Sequence, residues 1–377
     1  MPLCTVALIA TLLSATVMAG QTAGPQASRD LLNLHPALQV ALNAQPSAPA
    51  AFDATAAYVP LQGSRLVAVD LETGQVRWSA DLEVTQAPAV TSGLVIVATA
   101  GALAGLDAAT GAERWRVGIA AGLAAPPLAD TGWVLASLAS GELLALRAID
   151  GHVLWRQPLS APATARPIAA AHGVYVSLAD GNVAALALDT GALRWTRKLG
   201  GPPADLLVLD DRLFVGAEDR HFYCLNTENG RIRWSQRIGA RPAGAPVVDA
   251  SRVYYIALDN ILYAFDRGGG SRKWHRPLSV RPSGGPLLVG DLVLVPAVAA
   301  EVHAYQAETG ESAGRAAVDA DVLAPPQIIP GIHAAFTRIA LVTREGVFTL
   351  FARRVEPAPV PMPYPLGRAV DLSQLGP

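Results

Sequence analysis

Cysteine is nearly missing from this chain: Cys4 and Cys224 are the only two in 377 residues. That is too few for a disulfide framework, so stability has to come from packing. Neither sign of charge prevails, with 29 Lys and Arg against 31 Asp and Glu, a formal charge of −2 and an isoelectric point near 6.4. This balance excludes the basic footprint of a nucleic-acid binder. The apolar run Val6 to Ala19 is fourteen residues long, too short to span a bilayer. The seven histidines, His35, His152, His172, His221, His275, His303 and His333, form no HxH or HxxxH pair, so turn and surface roles are expected for them ahead of a metal site. There is no Walker sequence, no haem-attachment motif, no Ser-His-Asp ordering and no Trp-Asp dipeptide.

What the chain has is a repeat. The stretch Ala68 to Trp78, AVDLETGQVRW, returns six more times, anchored on Gly74, Gly111, Gly151, Gly191, Gly230, Gly270 and Gly310 at intervals of 37, 40, 40, 39, 40 and 40 residues. A period near forty means repeat architecture. Four residues after the glycine stands Trp78, Trp115, Trp155, Trp195, Trp234 or Trp274, which leaves Trp133 alone outside the pattern. Six residues before it the slot is small (Ala68, Gly105, Ala145, Ala185, Cys224, Ala264, Ala304), and the next residue is large and apolar.

Each unit reads as two strands joined by a tight turn. The glycine supplies the left-handed backbone that a β-carbon would penalise, and a flat indole opposite a small residue suits sheets stacked face to face. Two further short apolar runs precede each hairpin, as in APAVTSG and LVIVATA. Four strands in forty residues describe a propeller blade. Helical arrays of similar period need apolar residues at three-and-four spacing, and they lack recurrent glycine turns. The length exceeds the roughly 250–300 residues at which one core stops growing, and a propeller escapes that limit because each blade pair makes its own core. The fold class expected is all-β, an eight-bladed β-propeller of four-stranded blades, with seven blades as the alternative.

The ends divide the chain further. Residues 1–19 read as a secretory signal, with Val17 and Ala19 as the small residues before the cut, and 20–48 as a flexible leader in which Leu31 to Leu42 could form a short helix or a strand. The propeller occupies 49–360, and 361–377 belong to a tail whose prolines at 357, 359, 361, 363 and 365 enforce extended backbone. A degenerate eighth unit begins at Ala324, with strands near Ile328, Arg338 to Thr343 and Val347 to Phe351. Its missing outer strand could come from the leader or from Arg354 to Val360, and either would close the ring.

Residues that could carry chemistry have plainer readings. Cys224 fills an alanine-sized gap as a buried thiol. Asp205, Asp210, Asp211, Glu218 and Asp219 flank strands of the fifth blade and cap turns, with no calcium-loop ladder. Gly268, Gly269 and Gly270 replace the usual Thr-Gly and form a loose turn, not a phosphate loop. Trp133 begins a strand of the third blade as a core or rim aromatic. No catalytic, cofactor-binding or metal-binding residue is assigned.

The eleven-residue unit resembles the tryptophan-docking repeat of the PQQ-like (quinoprotein) propeller family, Ala-x-Asp-x-x-Thr-Gly followed by Trp. The match is literal at Ala68, Asp70, Thr73, Gly74 and Trp78; Asp107 and Asp266 keep the acid, Asn226 and Gln306 stay polar, and Arg147 and Ala187 abandon it. In the enzymes of this family the resemblance implies pyrroloquinoline quinone and calcium in a central funnel. In its BamB-like branch it implies a non-catalytic, eight-bladed periplasmic propeller of the outer-membrane assembly machinery. The adjacent-cysteine disulfide of the enzymes cannot form here. The expectation is therefore an exported, non-enzymatic scaffold, monomeric and without cofactor, with an envelope protein as partner, no nucleic acid, and a periplasmic, secreted or outer-membrane-associated location. A quinone-dependent dehydrogenase of alcohols or sugars, or a periplasmic ligand sensor, is the alternative.

Overall fold

A computed structural model describes residues 34–170, 173–298, 301–317, 327–329 and 338–353. They form eight antiparallel four-stranded sheets with no helix among them. Blade 1 is typical: Ala51–Phe52, Ala56–Leu61, Arg65–Asp70 and Val76–Asp81 pair in sequence order. The first strands of successive blades approach one another and surround the axis, while the strand carrying the tryptophan lies outermost.

The repeat pattern explains the packing. The small slot and the indole are register partners in each blade, as in Ala68 with Trp78 and Gly105 with Trp115. Each indole then docks on the next blade. Except in Trp234, whose buried Nε1 has no partner, the indole Nε1–H donates to a turn carbonyl one blade on, Trp78 to Ala108 at 2.9 Å, Trp115 to Ala148 and Trp155 to Leu188 at 2.8 Å. Its ring covers that blade's turn glycine, so closely that a β-carbon on Gly111 would stand 2.6 Å from Trp78. The glycine is needed twice over, because its φ is also +75°.

The acid of the motif closes the turn that the glycine opens. Asp70 Oδ1 accepts the N–H groups of Glu72 and Thr73, and Asp107 Oδ1 those of Ala109 and Thr110. A β-bulge follows in the outer strand, and its extra residue, Arg77 or Arg114, returns to the same carboxylate.

Burial is organised by interface. Eight apolar clusters each join two neighbouring blades, such as Ile96 and Trp115 with Val134, Leu144 and Leu146 between blades 2 and 3. Where the blade 7 repeat has Gly314 in place of tryptophan, Ile339 and Phe351 of blade 8 complete the cluster.

Blade 8 is composite. Gln327–Ile329, Arg338–Val342 and Val347–Arg353 take their outer strand from the other end of the chain, Leu34–Ala41. The pairing runs from Leu34 opposite Arg353 to Ala41 opposite Val347. Half of the expected leader thus belongs to the propeller, because Leu38 and Val40 of this strand press on Gly74, where a tryptophan docks in the other blades. The segment 354–360, the other source considered for that strand, and the signal and tail segments 1–19 and 361–377 lie outside the described residues.

Candidate functional site

The residues that sequence reasoning singled out do not converge. His152 is exposed beside a turn, its N–H donating to Asp150. His221 lies near the Tyr223 ring, His275 is exposed on an outer strand near Tyr263, and His303 Nε2 sits 2.8 Å from Glu301. The side chains of His35, His172 and His333 lie outside the described residues. Asp219 takes the Tyr223 hydroxyl and the His221 N–H at a turn, and Glu218 belongs to the same turn. Asp211 pairs with Arg233, and Asp210 is a turn residue at φ 53°. Asp205 differs: it lies on the innermost strand of blade 5, and burial raises its carboxyl above the ordinary range against the opposing effect of Arg166. Gly269 N–H donates to Asp266 Oδ1 at 2.7 Å and Gly270 lies under Trp234, so the triple glycine is a docking turn. Cys224 is buried opposite Trp234 in register, and burial pushes its thiol up to about 12.

A quinone held with calcium needs a set of acidic ligands at the axis. Among the described residues no group of three or more His, Cys, Asp and Glu side chains could hold a metal ion, and Cys224 is a free, buried thiol. Among the described residues the donor set does not fit that cofactor. Nor is any helix of the described residues long and apolar enough to cross a membrane.

The structure instead brings together places where the repeat is broken. On the face that carries the Thr-Gly turns, a groove of about 730 Å³ lies between blades 3 and 4, lined by Trp133, Leu154, Leu188 and Arg194 among others. A second, of about 600 Å³, lies between blades 2 and 3, lined by Asp107, Arg114, Arg147 and Ile149 among others. Three blade 3 positions differ from the other repeats. The bulge slot three residues after the turn glycine is Arg77, Arg114, Arg194, Arg233 or Lys273 in five blades, the buried Ala313 in blade 7 and the exposed Leu154 here. The slot two residues before the glycine is Glu72, Asp189, Glu228 or Glu308 in four blades and Ile149 here. Trp133 opens its strand where other blades have Ala56, Leu94, Arg212 or Arg252, and it packs on the blade 3/4 cluster. Ile149 is 73% and Leu154 50% exposed.

The acid slots explain why the grooves open. Arg147 replaces the aspartate of blade 3 and turns to Asp150, at 2.6 Å, holding that carboxyl down to about 2. Ala187 replaces it in blade 4, removing bulk from the groove floor. Gly173, at φ +132° and with no room for a β-carbon beside Leu186 O, keeps the upper edge of blade 4 open. Sequence reasoning noticed Arg147, Ala187 and Trp133 separately; Ile149 and Leu154 emerge only when the seven repeats are compared slot by slot.

Comparisons with known proteins fit this architecture. The family model described as outer membrane protein assembly factor BamB matches residues 21–105, 99–209 and 179–324. Among curated proteins, none matches the sequence. The fold is similar to the crystal structure of BamB from Moraxella catarrhalis, at TM-score 0.73 and 21% identity over 85% of this chain and 99% of that one. It is also similar to quinohemoprotein alcohol dehydrogenase from Comamonas testosteroni, at 0.69 and 16% over 88% of this chain and 78% of that one, and to Saccharomyces cerevisiae Sqt1, at 0.70 and 11% over 82% and 96%. These likenesses describe the fold alone. The family match extends over the repeats and takes in the strand that closes the ring, and on that ground the chain belongs to the outer membrane protein assembly factor BamB family of PQQ-like propellers.

Proposed function

We propose that this protein is a non-catalytic propeller of the cell envelope, periplasmic or associated with the outer membrane, that holds protein partners during outer-membrane protein assembly. The observation that carries this reading is the family match through residues 21–324. The apolar, partly open grooves of the turn face support it, since rigid rings commonly recruit partners through loops and edges. Fold alone never fixes function, so the test is made in the envelope. Photo-crosslinking from positions on both faces of the full chain is expected to trap a component of the outer-membrane assembly machinery, and the chain is expected to fractionate with periplasm or outer membrane. A protein recovered without envelope adducts, or in the cytoplasm, would overturn the reading.

The competing reading, a quinone-dependent dehydrogenase, has the likeness to the alcohol dehydrogenase fold behind it and the donor set against it. Titration with pyrroloquinoline quinone and calcium while following dye-linked alcohol oxidation separates the two. Turnover would replace the scaffold by an enzyme.

A further inference from the structure

Resting on that reading, we propose that the turn face of blade 3 is a docking surface for an uncharged, extended segment of a partner protein, which seats one bulky apolar side chain beside Trp133 and Leu154 and another beside Ile149. The three replacements act in one direction. At the bulge slot a guanidinium or ammonium has become Leu154, at the turn slot a predominantly acidic position has become Ile149, and Trp133 adds an aromatic wall. Scattered single apolar residues on a surface need no explanation. Ile149 and Leu154, two of the six exposed large apolar residues among the described residues, line two adjacent grooves together with the half-buried Trp133, and that grouping does need one.

Charge selects the occupant. In the blade 2/3 groove Arg114 closes on Asp107 at 2.7 Å and Arg147 on Asp150 at 2.6 Å, and blade 4 contributes one charge of each sign, Asp189 and Arg194. A surface whose charges cancel locally gives neither an acidic nor a basic segment an electrostatic advantage. Its binding energy has to come from apolar anchors, of the kind that tryptophan and exposed aliphatics supply at interface centres. Two grooves on neighbouring blade interfaces suit a segment that spaces its anchors along an extended backbone.

The repeat provides the test. Leu154→Arg and Ile149→Glu install residue types that sibling blades carry, so the variant should fold, as circular dichroism and the thermal transition would verify; Trp133→Leu, the residue type at Leu94, serves as a second variant. The probe is a short synthetic peptide alternating Phe or Val with Ser or Thr, compared with acidic and basic versions, and titrated against the full chain by fluorescence anisotropy. The uncharged peptide is expected to bind best, and the double variant to bind it at least about tenfold more weakly. Val76→Arg, at an exposed position of blade 1 (53%), is expected to leave binding unchanged. Equal affinity of wild type and double variant, equal binding of the charged peptides, or a wild-type dimer that the double variant dissolves would each overturn the proposal. Envelope crosslinks that persist in the double variant would sink this surface while leaving the scaffold reading in place.

Discussion

Each docked indole contributes at two places. Trp115 fills the space beside Gly105 in its own blade and caps Gly151 in the next, with its N–H on Ala148. Trp115→Ala should therefore cost about 3–5 kcal/mol, the range for a buried aromatic deletion, measured by denaturant unfolding. A loss below about 1 kcal/mol would mean that the ring is not packed. The motif acid behaves differently because it is charged and only partly buried, at the rim of the blade. The Arg114 guanidinium, with help from the Thr110 hydroxyl and backbone, holds Asp107 down to about 2. A carboxyl depressed in the folded state contributes stability that is complete above its unfolded value near 4 and is lost as pH falls through about 2. Following the carboxyl resonance against pH should show Asp107 titrating near the lower value, with Arg114→Leu moving it back up. Cys224 gives a third expectation: burial and a raised thiol make it unreactive, so a thiol reagent should label it only when denaturant opens the ring.

At the level of strands, most of this protein could be read before any coordinates. Gly74, Gly111 and their five counterparts fixed the turns, and the small slot paired with tryptophan fixed which strands face each other, because both are local, period-bound signals. The closing strand was harder. LHPALQVA has no Thr-Gly turn, no tryptophan and a proline at 36 that bulges its ladder, and its pairing with residues 347–353 is as distant in sequence as any in the chain. Only the long-range fit of Leu38 onto Gly74 decides for it. The grooves were illegible for another reason: they arise from substitutions in two neighbouring repeats, each unremarkable until its equivalents are aligned. Leu38→Asp should loosen blades 8 and 1 before the others, and hydrogen exchange should show the amides of 56–61 and 347–351 losing protection first.

The whole ring is a chain of pairwise interfaces without a single central core, so where it is cut should matter little provided that every interface is kept. Leu34 lies opposite Arg353, and a short Gly-rich connection between them would make the blade 8 edge an ordinary hairpin. A circular permutant joined there and opened at the exposed Asp210–Asp211 turn should melt close to the parent; a loss of cooperativity would show that the original ends contribute more than strand pairing.

The composite eighth blade also imposes an order of events. Residues 34–41 are made before every other described strand, yet the strand they pair with is the last of those to be made. Until residue 353 has emerged, this stretch of backbone amides and carbonyls has nowhere to pair, and the final blade of the nascent chain is left with a raw edge. A newborn molecule therefore remains an incomplete arc until that last strand is available, and the waiting amino-terminal strand is the part that a chaperone would have to shelter.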